Sequence, residues 1–352
     1  MDLKELSKLA AEQKASDLFL KAGAPPTLRV HGQIVQLDQP SLKNDEARDL
    51  AYSGMSQDQI ARFERRNELD LAFTIEGIAR FRANVYRQRE SIGMVLRLIP
   101  LQISGLDDLG MPPVLKDLAT HRQGLILVTG PTGCGKSTTL AGMIELINET
   151  RHCNIVTIED PIEFIYEDKL AIVSQREVGI DTESFTEALK YVVRQSPDVI
   201  LIGEMRDIET MHVAFAASET GHLVLSTVHT TSAAETVDRI INMFPPHEKP
   251  QICTRLSNCL RGVVSQKLLP KADVAGRIAA VEILVATPTT SKLIEEGRTG
   301  QLYSAIADGG FFQMQTMNQC LVKYFKAGLI TEEEAFFSAG NLTELKQLIR
   351  RP

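Results

Sequence analysis

Gly130-Pro131-Thr132-Gly133-Cys134-Gly135-Lys136-Ser137 is the stretch that decides the fold of this chain. It matches the pattern G-x-x-x-x-G-K-S/T at every defined position, between the apolar run at residues 125–128 and a segment with helical spacing. Glycines allow backbone N–H groups to turn inward around phosphate oxygens, and the N-terminus of the following helix adds partial positive charge. The stretch therefore predicts a phosphate-binding loop between a strand and a helix.

The same loop predicts which groups bind the ligand. Lys136 is expected to bridge the β- and γ-phosphates of a nucleoside triphosphate, and the hydroxyl of Ser137 is expected to bind Mg²⁺. The predicted nucleotide-binding residues are Gly130, Pro131, Thr132, Gly133, Cys134, Gly135, Lys136, Ser137 and Thr138.

Short, predominantly apolar runs continue beyond the loop at residues 155–158, 199–202 and 223–228, with amphipathic helical stripes between them. Such runs are typical of strands that are buried on both faces of a mostly parallel sheet. We therefore predict a doubly wound α/β core. From about residue 287 the apolar spacing becomes helical, which predicts a helical C-terminal part.

The N-terminal part of the chain predicts a smaller α+β domain. A helical stripe of leucines is followed by apolar or alternating runs with predicted turns at Gly77 and Gly93. The predicted strands are residues 16–20, 28–30, 70–75, 79–86 and 94–99. A turn-rich sequence that ends in Met111-Pro112-Pro113 marks the boundary to the core.

Two acidic segments follow strands of the predicted core. Glu204 comes soon after residues 199–202, and its carboxylate is expected to support Mg²⁺ at the sheet edge where the phosphate loop lies. Residues 159–163 offer a general base for the attacking water, and Glu163 is the predicted base because Asp160 precedes a proline and serves the turn. The competing interpretations are structural capping for this segment and a solvated strand end for Glu204.

His222 and His229 bracket the run at residues 223–228. Because they are too far apart along a strand to reach one metal ion, we do not predict a zinc site. His229 is a candidate for a hydrogen bond to the γ-phosphate, and an ordinary structural histidine is the alternative.

The composition limits the classes of partner. A length of 352 residues predicts about two domains. The 38 Lys and Arg residues against 45 Asp and Glu residues give a net charge of −7, so we expect no nucleic-acid partner. The sequence has no export leader and no bilayer-length apolar run, so we expect no direct membrane insertion. Five scattered cysteines without a Cys-x-x-Cys pair predict reduced thiols.

Four motifs stand in order along the chain: the phosphate loop and residues 159–163, 199–207 and 221–232. In this order and spacing the chain resembles the type IV pilus retraction ATPases of the PilT family, within the secretion-ATPase superfamily. The family calls these segments the Walker A motif, the Asp box, the atypical Walker B motif and the His box. Shorter matches extend the resemblance over nearly the whole chain, at Ser16-Asp17-Leu18, Phe81-Arg82-Ala83-Asn84 and Met314-Gln315-Thr316-Met317.

The resemblance implies a homohexamer that hydrolyses ATP with Mg²⁺ to drive pilus retraction and twitching motility. It implies a PAS-like domain at residues 1–105, a linker at 106–118 and a RecA-like ATPase domain at 119–352. The implied partners beyond the ring are an inner-membrane pilus platform protein and a paralogous pilus ATPase. The implied location is cytoplasmic, peripheral to the inner membrane.

The resemblance also implies roles for five side chains. Glu204 would support Mg²⁺ and hydrolysis, Glu163 would activate water, and His229 would respond to the γ-phosphate. Arg82 and Arg97 match family arginines that reach the phosphates. The residues themselves leave a second interpretation of the arginines open, because an arginine-rich segment can also be the solvated face of a sheet.

Two departures from the family pattern affect the interpretation. Cys134 stands where the family usually has Ser, which leads to the hypothesis that oxidants inhibit the site. Thr289-Thr290-Ser291-Lys292-Leu293 stands where retraction ATPases commonly have Ala-Ile-Arg-Asn-Leu, which leaves an auxiliary PilU-like paralogue as an alternative.

Three more functions compete with retraction: a pilus assembly or type II secretion ATPase, a ring-forming subunit without turnover, and a RecA-like nucleic-acid motor.

Overall fold

The computed structural model describes residues 1–30, 32–99, 103–273 and 276–350. The chain divides into two compact units, one formed by Met1–Gln102 with Glu163–Ile165 and one formed by Ile103–Ile162 with Tyr166–Pro352. The PAS-like and RecA-like domain bounds given above stay a prediction. Residues 31, 100–102, 274–275 and 351–352 fall within the predicted domains and lie outside the described residues.

The first unit contains a six-stranded sheet in which each hydrogen-bonded pair of strands is antiparallel. The order across the sheet is β3-β2-β1-β6-β5-β4. Its described elements are α1 (Leu3–Glu12), β1 (Asp17–Lys21), β2 (Thr27–Val30), β3 (Gln33–Gln36), α2 (Asn44–Ser53), α3 (Gln57–Arg66), β4 (Glu68–Ile75), β5 (Ala79–Gln88) and β6 (Ser91–Ile99).

The alternation in β5 shows why this sheet has one polar face. Phe81, Ala83 and Val85 are fully buried, whereas Arg82 and Asn84 between them are exposed. Side chains of a strand point alternately to opposite faces, so one face of β5 packs into the core and the other carries charged groups.

The predicted turn at Gly93 is wrong. Gly93 lies inside β6 and pairs with Tyr86 of β5, and the turn between these strands is formed by Arg89 and Glu90 with φ of 44° and 62°. A Cβ atom at position 93 would lie 2.6 Å from Cζ of Tyr86. Glycine stands here because the tyrosine ring covers the strand, and not because the chain reverses.

The second unit contains a seven-stranded sheet in the order β13-β12-β7-β11-β10-β8-β9. Its strands pair in parallel except for β13, which runs antiparallel to β12 at one edge. The described elements up to β10 are α4 (Val114–Ala119), β7 (Gly124–Thr129), α5 (Lys136–Thr150), β8 (Asn154–Glu159), β9 (Ile172–Glu177), α6 (Phe185–Val192) and β10 (Val199–Ile202). The predicted α/β core with a mostly parallel sheet is confirmed.

The remaining part of this unit completes the sheet and adds helices. Its described elements are α7 (Ile208–Glu219), β11 (Leu223–Val228), α8 (Ala233–Met243), α9 (Lys249–Cys259), β12 (Leu260–Pro270), β13 (Arg277–Val285), α10 (Pro288–Glu295), α11 (Leu302–Asp308), α12 (Met317–Lys326), α13 (Glu332–Ser338) and α14 (Leu342–Arg350). The helical C-terminal part begins at α10, where the sequence predicts it. Strands β9, β12 and β13 were not predicted.

The core of the second unit explains the apolar runs in the sequence. Every residue of β7, β10 and β11 is buried, because helices cover both faces of the sheet. A smaller cluster packs α12 to α14 against β12 and β13 through Leu269, Ala280, Leu321, Tyr324 and Leu345. In the described part of the chain, no helix combines the length and the apolar character needed to cross a membrane.

Candidate nucleotide site

The phosphate loop joins the end of β7 to the start of α5. Gly133 has φ of 80° and Gly135 has φ of 90°, in the left-handed region that favours glycine. Gly135 is also the N-cap residue of α5, so the loop leads directly into the helix N-terminus. This is the strand–loop–helix arrangement that suits a phosphate group.

Lys136 is the first residue of α5 and is only 8% exposed. Its Nζ donates hydrogen bonds to the carbonyl oxygens of Gly130 at 2.9 Å and Pro131 at 3.0 Å. The ammonium group is therefore held over the loop by two backbone acceptors. Ser137 and Thr138 follow it and are half-buried.

The structure brings Glu204 and His229 together. Strand β11 lies between β7 and β10, and the three strands are parallel, so the residues after their carboxyl ends lie at one edge of the sheet. His229 comes directly after β11 and Glu204 soon after β10. Their side chains meet with 3.2 Å between Nε2 of His229 and Oε1 of Glu204.

Arg206 faces the same carboxylate. Nη2 of Arg206 lies 2.7 Å from Oε2 of Glu204. Burial alone would raise the pKa of Glu204, but the hydrogen bond from Arg206 and the charge of His229 outweigh it and leave the pKa below its usual value. Glu204 is therefore an ionised carboxylate at neutral pH, as a ligand of a divalent cation must be.

The acidic segment after β8 is divided between two environments. Glu159 is buried, and its Oε1 accepts hydrogen bonds from the Thr157 hydroxyl at 2.7 Å and from the Gln175 amide at 3.2 Å. Glu163 is exposed and falls with the first unit. Of the two, Glu163 is the carboxylate that solvent reaches more freely, and its role as a base stays a prediction.

Arg82 and Arg97 belong to the first unit, where they are direct cross-strand partners in β5 and β6. Both are exposed on the polar face of the sheet. Nε of Arg97 lies 3.1 Å from Oδ1 of the buried Asp17, and Arg29 approaches the other oxygen of Asp17 at 3.3 Å. Two guanidinium groups are thus presented side by side, and one of them is anchored by a carboxylate.

The donor set fits a magnesium ion that is bound together with a nucleotide. Among the residues that the structure describes, no group of three or more His, Cys, Asp or Glu side chains could hold a metal ion. A Mg²⁺ ion that accompanies a nucleotide needs few protein ligands, because phosphate oxygens and water complete its shell. The hydroxyl of Ser137 and the carboxylate of Glu204 are hard oxygen donors of the required kind.

Cys134 is buried beneath the loop and only 3% exposed. Burial raises the pKa of its thiol, so little thiolate forms at neutral pH. Both observations weigh against the hypothesis that oxidants inhibit the site through Cys134.

Sequence reasoning missed two buried polar residues that contact the loop region, Gln266 in β12 and Thr139 in α5. A signal for Gln266 does exist, because Ser265-Gln266-Lys267 separates the two apolar stretches of β12. Buried polar groups require partners, but the partner of such a residue is visible only in the folded chain.

Comparisons with known proteins show the family of the chain. The family model for type II/IV secretion system proteins matches residues 2–307. The chain is 47% identical to the type IV pilus retraction ATPase PilT of Pseudomonas aeruginosa over 335 residues, which cover 95% of this chain and 97% of that protein. It is 40% identical to the type IV pilus ATPase PilU of the same organism over 350 residues, which cover 99% and 92%.

A solved structure supports the fold. The pilus retraction motor PilT with bound ADP superposes with a TM-score of 0.93 at 45% identity and covers 99% of each chain. The predicted RecA-like ATPase fold is confirmed by this match. The chain therefore belongs to the type II/IV secretion system protein family, and it is an ATPase.

Proposed function

We propose that this chain is the ATPase that drives pilus retraction and twitching motility. The observation that carries the proposal is the contact between Glu204 and His229 beside the phosphate loop. It occurs in a chain that is 47% identical to a pilus retraction ATPase over nearly its whole length. ATP hydrolysis in the second unit supplies the free energy, and movement of the first unit transmits it to the pilus machine.

The nucleotide binds at the loop through Gly130, Pro131, Thr132, Gly133, Cys134, Gly135, Lys136, Ser137 and Thr138. Lys136 contacts the β- and γ-phosphates, and its position over the loop carbonyls supports this role. Ser137 and Glu204 hold Mg²⁺, which would supply positive charge against the phosphate oxygens. The ionised state of Glu204 supports this assignment.

Hydrolysis requires a base for the attacking water, and Glu163 takes this role. Its exposure to solvent supports the assignment, because a base must reach a water molecule. Glu204 can also polarise water, and its contact with His229 links it to a side chain that responds to the γ-phosphate.

Arg82 and Arg97 complete the catalytic set by neutralising the charge of the phosphates. Their direct pairing across β5 and β6 supports a joint role, since two guanidinium groups on adjacent strands form a cluster that attracts an anion. The anchor from Asp17 to Arg97 limits the freedom of one of them.

The chain acts as a homohexamer in the cytoplasm, at the inner-membrane pilus platform protein and together with a paralogous pilus ATPase. Membership of the family supports this assembly. Mass photometry with and without ADP tests the ring, because a species of six subunits is expected.

The competing functions are those of an auxiliary PilU-like paralogue and of an assembly or type II secretion ATPase. The chain is 47% identical to PilT and 40% identical to PilU, and the higher identity to PilT favours the principal motor. The segment that departs from the retraction family lies in α10, where Thr290 is buried in a capping box with Thr287 and Lys292 is exposed. The departure thus combines helix capping with a shift of one positive charge from position 291 to position 292.

The experiment that tests the function is a count of surface pili per cell in a strain that lacks this gene, with the wild-type gene and Lys136→Ala as complementation controls. More pili together with lost motility are expected for a retraction motor. Bald cells would show an assembly ATPase. Unchanged pili with motility lost only under load, or only when a second ATPase gene is also deleted, would show an auxiliary paralogue.

A further inference from the structure

Gln266 is a polar residue on β12 that is only 2% exposed. Strand β12 is the parallel neighbour of β7, and their register ends with Ser265 opposite Thr129. Gln266 therefore lies at the level of Gly130, where the phosphate loop begins. A buried amide at this place requires partners for both of its polar atoms.

Both atoms of the Gln266 amide have partners around the loop. Nε2 donates a hydrogen bond to the carbonyl oxygen of Cys134 at 2.6 Å, and Oε1 accepts one from the hydroxyl of Thr139 at 2.8 Å. A backbone carbonyl can only accept, which fixes the orientation of the amide. One side chain from a neighbouring strand thus holds the loop and the first turns of α5 together.

Two glycines of the motif are packed against the same residue. A Cβ atom at Gly130 would lie 2.3 Å from the backbone oxygen of Gln266, and one at Gly135 would lie 2.9 Å from its Nε2. These distances are shorter than any real contact of a Cβ atom, so the loop approaches β12 as closely as glycine permits. Gln266 forms the surface on which the loop rests.

The hydrogen bond to Cys134 has a geometric consequence for the next residue. In a trans peptide the C=O and the following N–H point in opposite directions. Because the Cys134 carbonyl points toward Gln266, the N–H of Gly135 points away from β12 and is free to face a phosphate group. The bond to Thr139 acts on the same unit, since the Thr139 N–H donates to the carbonyl of Gly135 at 3.0 Å.

We propose that Gln266 is a positioning residue for the phosphate loop, which aims the Gly135 N–H and fixes the loop relative to α5. It does not contact the nucleotide. The inference rests on the proposed nucleotide site and adds to it a residue outside the motif. Loss of the amide is expected to weaken nucleotide binding more than it weakens the fold.

The test compares Gln266→Met with Gln315→Met. Methionine keeps the volume and removes both hydrogen bonds at position 266. Gln315 is a matched control, because its amide donates to the carbonyl of Val281 at 2.8 Å in the same unit but contacts no residue of the loop. Affinity for ADP is measured by isothermal titration calorimetry, and the melting temperature is measured without nucleotide.

Gln266→Met is expected to weaken ADP binding by about tenfold, the change that corresponds to two lost neutral hydrogen bonds. It is also expected to raise KM for ATP more than it lowers kcat. Gln315→Met is expected to leave the affinity within about twofold at a similar loss of melting temperature. Equal ADP affinity in Gln266→Met and the wild type would overturn the inference.

A second variant keeps the test decisive if Gln266→Met does not fold. Thr139→Val removes only the hydroxyl that contacts Oε1, and about threefold weaker ADP binding is expected. Unchanged affinity in a folded Thr139→Val would overturn the inference in that case. Failure of the wild type itself to bind ADP would instead contradict the proposed function, so the two failures are distinguishable.

Discussion

Nε2 of His229 lies 3.2 Å from Oε1 of Glu204, although the two residues follow different strands. The parallel pairing of β10 with β11, in which Ile202 faces Ser226, brings the ends of both strands to the same edge. Two further bonds fix the segment after β10, from the Thr227 hydroxyl to the Gly203 carbonyl and from the Met205 N–H to the Thr227 carbonyl. The contact between His229 and Glu204 is therefore built on hydrogen-bonded strand ends, and we expect it to transmit a change at the phosphate to Glu204.

Replacement of His229 tests this link. His229→Ala is expected to lower kcat for ATP hydrolysis by about tenfold and to leave ADP affinity within about twofold, because ADP lacks the γ-phosphate. The control is His152→Ala, an exposed histidine of the same unit that lies outside the four motifs. Full activity is expected for the control. A loss of ADP affinity as large as the loss of turnover in His229→Ala would contradict the role.

The partners of Glu204 predict how stability depends on pH. Its pKa in the folded chain is lower than its usual value of 4.5, so the ionised form is favoured by folding. This stabilisation is present at neutral pH and is lost as pH falls through the folded pKa, below 4.5. The difference in melting temperature between the wild type and Glu204→Gln is expected to shrink as pH falls through that range. A difference that grows as pH falls below 4.5 would show that the carboxylate is not stabilised by Arg206 and His229.

Much of the fold could be predicted from the sequence because the core strands are buried on both faces. Residues 199–202 are apolar throughout, and residues 223–228 are apolar except for Ser226 and Thr227; both segments are strands with the predicted bounds. Strand β12 was missed because its apolar residues are broken up by Arg261, Gly262 and the run Ser265-Gln266-Lys267. The buried partners of Ser265 and Gln266 come from distant segments. Local patterns carry no information about such long-range hydrogen bonds.

The parts of the site that could be predicted from the sequence are the contiguous loop motif and the residues that follow apolar strands. The phosphate loop has a contiguous pattern, and Glu204 and His229 follow apolar runs. The pairing of Arg82 with Arg97 depends on the register of β5 and β6, which is fixed by the turn at Arg89 and Glu90. The sequence suggests a turn at Gly93 instead, so no register could be deduced from it.

Replacement of Lys136 is expected to impair nucleotide binding, whereas replacement of Glu204 is expected to impair hydrolysis. Lys136→Ala removes a charge that is held over the loop at 2.9 Å and 3.0 Å from two carbonyls, and we expect ADP affinity to fall by roughly 100-fold. Glu204→Gln keeps the shape of the side chain and is expected to bind ADP normally while kcat falls by roughly 100-fold. Fluorescent ADP titration and steady-state hydrolysis separate these effects. Equal loss of binding in both variants would be inconsistent with the assigned roles.

The paired arginines allow a test that separates chemistry from folding. Arg82 is exposed on β5, and within the described residues it makes no ion pair, whereas Arg97 is held by Asp17. Arg82→Ala is therefore expected to lower kcat by roughly 100-fold or more without changing the melting temperature, since the lost group acts only on phosphate charge. Arg62→Ala, an exposed arginine on α3, is the matched control and is expected to retain full activity. Full activity in Arg82→Ala would remove this residue from the catalytic set and would favour the solvated-face interpretation of the arginine-rich strands.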